Sequence, residues 1–168
     1  MFGAFLYWFG LRRGECLALK KCDIGDSEIT ISRQHIFPDK NQPLESTTKT
    51  EAGVRTIPIP DKAREYIDFD SLPDGYLFTD QNGKPWSYKV YQRVWKQLSN
   101  EAFGSDSEIT PHYLRHNYAT MLCEVDIPMM AAKSYCGHAD IETTMKIYQH
   151  YTQTLADKAE SKMKDFGK

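Results

Sequence analysis

The stretch TPHYLRHNYAT, residues 110–120, contains the clearest helix start in the chain. Thr110 can accept a hydrogen bond from the first turn, and Pro111 has the backbone angle of a first helical position. The pattern therefore predicts a helix that runs to about residue 124. Side chains three and four positions apart share one face of a helix. On this helix those side chains are His112, Arg115 and His116.

Hydrophobic spacing on both sides of this helix predicts a mainly helical protein with a few strands. Further helices are expected over 2–19 with a break at Gly10, and over 61–69, 87–103, 128–137, 141–150 and 155–165. Strands are expected over 28–36, 44–48 and 54–59. The polar sequence TKTEAG is expected to form the turn between the last two strands. The fold class is therefore α+β, with helices dominating and a small antiparallel sheet of three strands.

The composition indicates one soluble globular domain, residues 1–168, because 40% of the residues are hydrophobic and 26% are charged. No apolar run is long enough to span a membrane. The four cysteines are irregularly spaced, which favours reduced thiols in a cytoplasmic protein over a zinc site. With a net charge of −2, a nucleic-acid enzyme has to gather its cations on one face.

The helix that begins at Thr110 could bind an anion as well as pack against the core. Its first turn offers free backbone N–H groups and the positive end of the helix dipole, which suit a phosphate. Two histidines satisfied in the core and an arginine in a salt bridge remain the ordinary alternative. A metal site is disfavoured, because the glutamate of HExxH is missing and Arg115 would repel a cation.

Three more segments contain residues of chemical interest. In CGHADIETTMKIYQHY, residues 136–151, Gly137 permits a tight turn that projects His138, and Tyr148 follows on the next helix. A tyrosine is a poor nucleophile at its normal pKa, so a covalent role requires cationic neighbours or a base. In GLRRGECLAL, residues 10–19, an arginine steadied by Glu15 could form a phosphate clamp. In TTKTEAGVR, residues 47–55, Lys49 lies near the tip of a hairpin.

Taken in order, these segments resemble the tyrosine recombinases. The order is GLRRGE, a lysine on a β-turn, HYLRH, GH, and a tyrosine near the C-terminal end. The resemblance covers about residues 5–155 and is strongest to integrases of bacterial conjugative transposons and temperate phages. It implies the fold of DNA breaking-rejoining enzymes. It also implies a site-specific recombinase that integrates or excises a mobile element through a 3′-phosphotyrosine intermediate, without a metal or any other cofactor.

The resemblance assigns roles to individual residues. It implies that Tyr148 is the nucleophile, with Tyr151 as a less well-placed rival, and that Lys49 protonates the leaving 5′ oxygen. The basic groups around the phosphate would be Arg12, His112, Arg115 and His138. Structural support would come from Glu15 and His116. The groups expected to contact DNA are Arg13, Lys49 and Arg55.

The resemblance also predicts partners and leaves alternatives open. The expected partners are double-stranded DNA and further protomers in a synaptic tetramer, in the bacterial cytoplasm at the nucleoid. Family members generally have an N-terminal DNA-binding domain, which we expect to be absent from this sequence. The tail, residues 152–168, could dock in cis or on a neighbouring protomer. The competing functions are a type IB topoisomerase, a non-catalytic DNA-binding remnant of an integrase and, last, a metal hydrolase.

Overall fold

The computed structural model describes residues 1–39, 41–47, 53–105 and 108–165. The helices are α1 (Phe2–Phe9), α2 (Arg13–Leu17), α3 (Tyr88–Phe103), α4 (Pro111–Glu124), α5 (Met129–Cys136) and α6 (Ile141–Asp165). The strands are β1 (Glu28–Ile31), β2 (Arg33–Ile36), β3 (Leu44–Thr47) and β4 (Arg55–Pro58). The expected class, mainly helical with small antiparallel sheets, is confirmed.

The strands form two antiparallel pairs within the described part of the chain, rather than one sheet of three strands. β1 pairs with β4, with Ile31 opposite Arg55, and β2 pairs with β3, with Arg33 opposite Thr47. The strand expected over 28–36 is interrupted at Ser32, where the chain changes its pairing partner. The chain thus leaves the first pair and enters the second pair at Ser32.

The apolar start of the chain forms the centre of the main core, as its composition predicts. On α1, the side chains of Phe5, Leu6 and Phe9 are fully buried. They pack with residues from β1, β4 and the segment before α3, and ring contacts such as Phe5 with Phe78 connect these elements. α2 begins three residues after Gly10, the residue that caps α1, so this core fixes the start of α2.

Helix α4 joins this core to a second one. Leu114 belongs to the main core, whereas Tyr118, Leu122 and Cys123 pack with residues of α5 and α6. The start of α4 is as expected: the Thr110 hydroxyl accepts a hydrogen bond from Tyr113 N at 3.3 Å, and Pro111 is the first helical residue. The change from one core to the other therefore lies between Leu114 and Tyr118.

Two expected helices differ from the structure. The segment 61–69 forms only a short 3-10 helix, Asp61–Glu65, because Ile67 and Phe69 alternate inward with a two-residue period that a helix cannot match. The tail is not a separate helix: α6 continues without a break to Asp165, and no glycine or proline follows Gly137 before that residue. Among the described residues, no helix is both long and apolar enough to cross a membrane.

Gly10 makes the close approach of α1 and α4 possible. Its φ of 56° lies in the left-handed region, and its N–H donates to Leu6 O at 3.1 Å. A Cβ built on Gly10 would lie 2.2 Å from Cδ1 of Tyr118, a side chain that is itself buried between the helices. Any side chain at position 10 therefore pushes α4 away from α1.

We predict that Gly10→Ala costs more than backbone strain alone. The left-handed conformation costs an alanine about 1–2 kcal/mol, and overpacking against Tyr118 adds about 1–3 kcal/mol. The matched control is Gly83→Ala, at a φ of 73° with no atom within 4 Å of the added Cβ. The free energy of unfolding, measured in urea, should fall further for Gly10→Ala. Equal losses would show that the contact with Tyr118 relaxes without cost.

Candidate functional site

Arg12 lies immediately before α2 and is oriented by Glu15. Its backbone N–H donates to Glu15 Oε2 and its Nη1 donates to Glu15 Oε1, each at 2.8 Å. The carboxylate is almost fully buried, whereas 42% of the Arg12 side chain is exposed. Glu15 therefore holds a partly solvent-accessible guanidinium in one orientation.

Arg115, on α4, is buried at the same place. Its Nη1 donates to Gly10 O at 2.8 Å, and its Nη2 donates to Cys136 O. Burial and the neighbouring charge of Arg12 lower the pKa of Arg115 to about 10, which leaves the group charged at neutral pH. The bond to Gly10 O connects this arginine to the turn that precedes Arg12.

Three consecutive backbone carbonyls at the end of α5 each accept a hydrogen bond from an arginine. The acceptors are Tyr135 O, Cys136 O and Gly137 O. Their donors, in the same order, are Arg55 of β4, Arg115 of α4 and Arg12 before α2. The C-terminal end of a helix has partial negative charge that cations stabilise. The end of α5 thus connects three elements that are distant in sequence.

Arg12, His112 and Arg115 line a common cleft of about 370 Å³. The cleft opens at the first turn of α4, where Thr110 and Pro111 form part of its wall. His112 is exposed, and Tyr91 and Trp95 of α3 line the wall on the α3 side. Positive side chains and the start of a helix on one cleft suit a phosphate-sized anion.

His138 follows the turn at Gly137 and lies close to the same charges. Its Nδ1 is 2.9 Å from the hydroxyl of Thr144, a residue that is fully buried. Burial, followed by the charges of Arg115, Arg12, Arg55 and His112, lowers the pKa of His138 to about 4. The imidazole is therefore neutral at pH 7 and its ring orientation is fixed by Thr144.

Tyr148 does not lie in this cleft. Its hydroxyl donates to Ile127 O at 2.5 Å, in a separate cleft of about 700 Å³ that Cys123 and Met145 also line. Burial and the nearby Cys123 raise the pKa of Tyr148 to about 12. The structure thus brings together Arg12, His112, Arg115 and His138 but places the tyrosine elsewhere. Lys49 lies outside the described residues.

Two residues occupy positions that contradict their expected roles. Arg55, expected to contact DNA, has a side chain only 2% exposed that is paired with Glu15. His116, expected to support the site, is exposed and lines a different cleft with Lys146 and His150. It lies one position, or about 100° of helix rotation, beyond the inward-facing Arg115, and this turns it away from the site. His112 and His116 therefore do not converge as a metal pair would.

The sequence contained a signal for the buried position of Arg55. In 54–59, Arg55 alternates with Val54 and Thr56 and so shares a strand face with Ile57. The structure buries that face, with Arg55 and Ile57 inward. Arg13, also expected to contact DNA, is half-buried, with its guanidinium 5.1 Å from the ring centre of Tyr91 and 5.4 Å from that of Tyr88.

Comparisons with known proteins identify relatives of the whole chain. Residues 1–154 match the model of the phage integrase family. The chain is 29% identical over 173 residues to the integrase of Staphylococcus phage L54a, a match that covers 92% of this chain and 48% of that protein. It is 30% identical over 164 residues to the tyrosine recombinase XerA of Thermococcus kodakarensis, covering 95% of this chain and 53% of that protein.

Solved structures show the same fold. The Tn1549 transposon integrase in complex with transposon right end DNA superimposes with a TM-score of 0.70 at 25% identity, covering 99% of this chain and 58% of that one. The XerA recombinase superimposes with a TM-score of 0.64 at 22% identity, covering 90% of this chain and 54% of that one. The chain spans about half the length of the relatives that it matches.

The ionised Glu15 should make the stability of the fold depend on pH in acid. Burial alone would raise its pKa, but hydrogen bonds from Arg55 and Arg12 and the charge of Arg55 lower it from 4.5 to about 2. Between these values the unfolded chain binds a proton that the folded protein does not bind. The resulting stability, on the order of 3 kcal/mol, is present above about pH 5 and lost as the pH falls towards 2.

We predict that Glu15→Gln removes this acid dependence, because no carboxylate remains to be protonated. The variant should also be less stable at pH 7, where two arginines lose their buried counter-charge. The free energy of unfolding, measured by denaturant between pH 2 and pH 7, tests this. Glu65→Gln, at an exposed ion pair with Lys62, is the control and should keep the acid dependence of the unsubstituted chain. The same acid dependence in Glu15→Gln would contradict the prediction.

Proposed function

The chain belongs to the phage integrase family and has the fold of a tyrosine recombinase catalytic domain, and we propose that it cuts and rejoins double-stranded DNA to integrate or excise a mobile element. One observation carries the proposal. Arg12, His112 and Arg115 line one cleft, and His138 lies within reach of their charges. Relatives aligned over most of this chain are named integrases and tyrosine recombinases.

The cleft would bind the phosphate at which the strand is cut. A phosphodiester under attack accumulates negative charge on its non-bridging oxygens. Fixed positive donors stabilise that charge more than they stabilise the ground state. Arg12 and Arg115 supply these donors, and each is held in place by a backbone carbonyl at the end of α5 or directly after it, so little reorganisation is needed. His138, neutral at pH 7, would add a hydrogen bond.

Tyr148 would attack the phosphorus atom. Its hydroxyl oxygen forms the new P–O bond, the bond to the 5′ oxygen breaks, and the strand is left as a 3′ phosphotyrosine with a free 5′ hydroxyl. His112 would accept the tyrosine proton, and Lys49 would give a proton to the leaving oxygen, each step contributing roughly 10²–10⁴-fold. Attack by a 5′ hydroxyl on the phosphotyrosine reverses the bond changes and joins a strand without a nucleotide cofactor.

The structure represents a resting arrangement in this account. Tyr148 donates to Ile127 O and its pKa is about 12, so the hydroxyl has to leave this contact before it can react. DNA bound in the cleft would favour movement of the Tyr148 hydroxyl towards the phosphate that Arg12 and Arg115 hold, because that position then becomes lower in free energy. Lys49 would give its proton from the sequence between β3 and β4, and Arg55 at the start of β4 is paired with Glu15.

The proposed partners are double-stranded DNA and further copies of the recombinase in a synaptic tetramer. Support for DNA comes from the similar transposon integrase, which was solved in complex with transposon right end DNA. Beyond Tyr148, α6 extends for more than four turns to Asp165, and its exposed residues include Thr152, Gln153 and Glu160. With this length, the tail could dock on a neighbouring protomer in the tetramer or stay with its own protomer.

Trapping the covalent intermediate tests the proposal without knowledge of the target sequence. The probe is a pool of duplexes with randomised flanks in which sulfur replaces the bridging 5′ oxygen, so the leaving thiol rejoins poorly. We expect a DNA adduct on Tyr148, identified by peptide mass spectrometry and lost in Tyr148→Phe. Tyr151→Phe is the matched control and should still form the adduct.

Other outcomes identify the competing functions. An adduct on Tyr151 would refute the assignment of Tyr148. DNA binding without any adduct would favour a non-catalytic remnant. If an adduct forms, two further substrates with ordinary bridging oxygens separate two activities. Exchange of strands between two duplexes indicates a recombinase, whereas relaxation of a supercoiled plasmid without any exchange indicates a topoisomerase.

A further inference from the structure

We propose that Arg55 is a positioning residue of the phosphate cleft, acting on Arg12 through Glu15 and on His138 through the end of α5. The inference rests on the proposed function, because it takes the cleft to hold a phosphate. Arg55 itself does not line the cleft, and its side chain is 2% exposed. Any effect that it has on a bound phosphate must therefore pass through other residues.

The first link is a paired contact with Glu15. Arg55 Nη2 donates to Glu15 Oε2 at 2.8 Å, and Nη1 donates to Glu15 Oε1 at 3.1 Å. The same two oxygens accept from the backbone N–H and Nη1 of Arg12. A planar guanidinium that engages both carboxylate oxygens fixes the plane of the carboxylate. The plane in turn fixes the direction in which Arg12 points.

Arg55 also changes the charge available to a ligand. Among the described residues, Glu15 is the carboxylate that pairs with these arginines, and it is shared between two guanidinium groups. With Arg55 offsetting its negative charge, the charge of Arg12 is not neutralised inside the protein. The cleft therefore keeps the positive charge that attracts an anion, even though the Glu15 carboxylate that orients Arg12 lies next to it.

The second link runs to the turn before His138. Arg55 Nε donates to Tyr135 O at 2.8 Å, next to the carbonyls held by Arg115 and Arg12. A Cβ added to Gly137 would lie 2.8 Å from Nη1 of Arg55, so the guanidinium is packed directly beneath the turn. Because His138 directly follows this turn, the position of the turn determines the position of the His138 backbone and so of its ring. Arg55 thus supports two groups of the cleft at once.

Substitutions of Arg55 distinguish the effect of its hydrogen-bond geometry from the effect of its positive charge. Arg55→Lys keeps the positive charge but loses the paired contact, and Arg55→Met loses both. Arg33→Met is the matched control, since it removes another strand arginine with a carboxylate partner, Asp23, outside the cleft. The probe is inorganic phosphate, exchanged for chloride at constant ionic strength and pH 7. The measurement is the NMR shift of the His112 and His138 ring signals as phosphate is added.

We expect both Arg55 variants to bind phosphate about tenfold more weakly than the unsubstituted chain, within the range of couplings inside one hydrogen-bond network. Arg33→Met should bind as the unsubstituted chain does. Circular dichroism at the temperature of the titration identifies any variant that does not fold. Should Arg55→Met fail to fold, Arg55→Lys decides, because a lysine at this position keeps the buried charge.

The results distinguish the inference from the function on which it rests. If the unsubstituted chain shows no response of His112 or His138 to phosphate, the phosphate cleft itself is refuted. If it responds and Arg55→Lys binds phosphate equally well, the positioning role is overturned and only the charge of Arg55 matters. Equal weakening in folded Arg33→Met would also overturn it, because a general loss of rigidity would then account for the effect.

Discussion

The anchoring of the end of α5 is the interaction on which the rest of the site depends. Three arginines from β4, α4 and the start of α2 donate to three consecutive carbonyls, those of residues 135–137. These carbonyls are acceptors that a helix end leaves without intrahelical partners, so the contacts satisfy a requirement of the fold. The same contacts bring together guanidinium groups that would otherwise repel one another. Structural and functional needs are met by one set of hydrogen bonds.

The cost of gathering these cations is offset locally by Glu15. Burial opposes its charge, but hydrogen bonds from two arginines keep its pKa near 2, so the carboxylate stays ionised at neutral pH. Positive charge then exceeds negative charge at the mouth of the cleft, in a chain whose net charge is −2. A bound phosphate would neutralise this excess positive charge. This explains how a slightly acidic protein can present a local anion site without a broadly basic surface.

The sequence predicted most of the helices and strands because caps and turns are local features, whereas the site residues were proposed from the resemblance of the motif order to a known family. The cap at Thr110 and Pro111 fixed the start of α4, and the break at Gly10 separated α1 from α2. Arg12, His112, Arg115 and His138 came from the motif order, and the structure gathers them. The alternation over 54–59 indicated that Arg55 faces inward, but its partner, Glu15, is 40 residues away in sequence, and no local pattern indicates that pairing. The resting contact of Tyr148 with Ile127 O likewise depends on packing between α4 and α6.

A crystal structure grown in sulfate tests the central claim most directly, since it requires no knowledge of a DNA site. We expect one sulfate in the cleft, contacted by the guanidinium groups of Arg12 and Arg115 and by His112 or His138. Both arginines should keep their bonds to Gly137 O and Cys136 O while they bind it. Sulfate bound only elsewhere, or arginines that leave these carbonyls and point apart, would contradict the claim that the end of α5 builds the site.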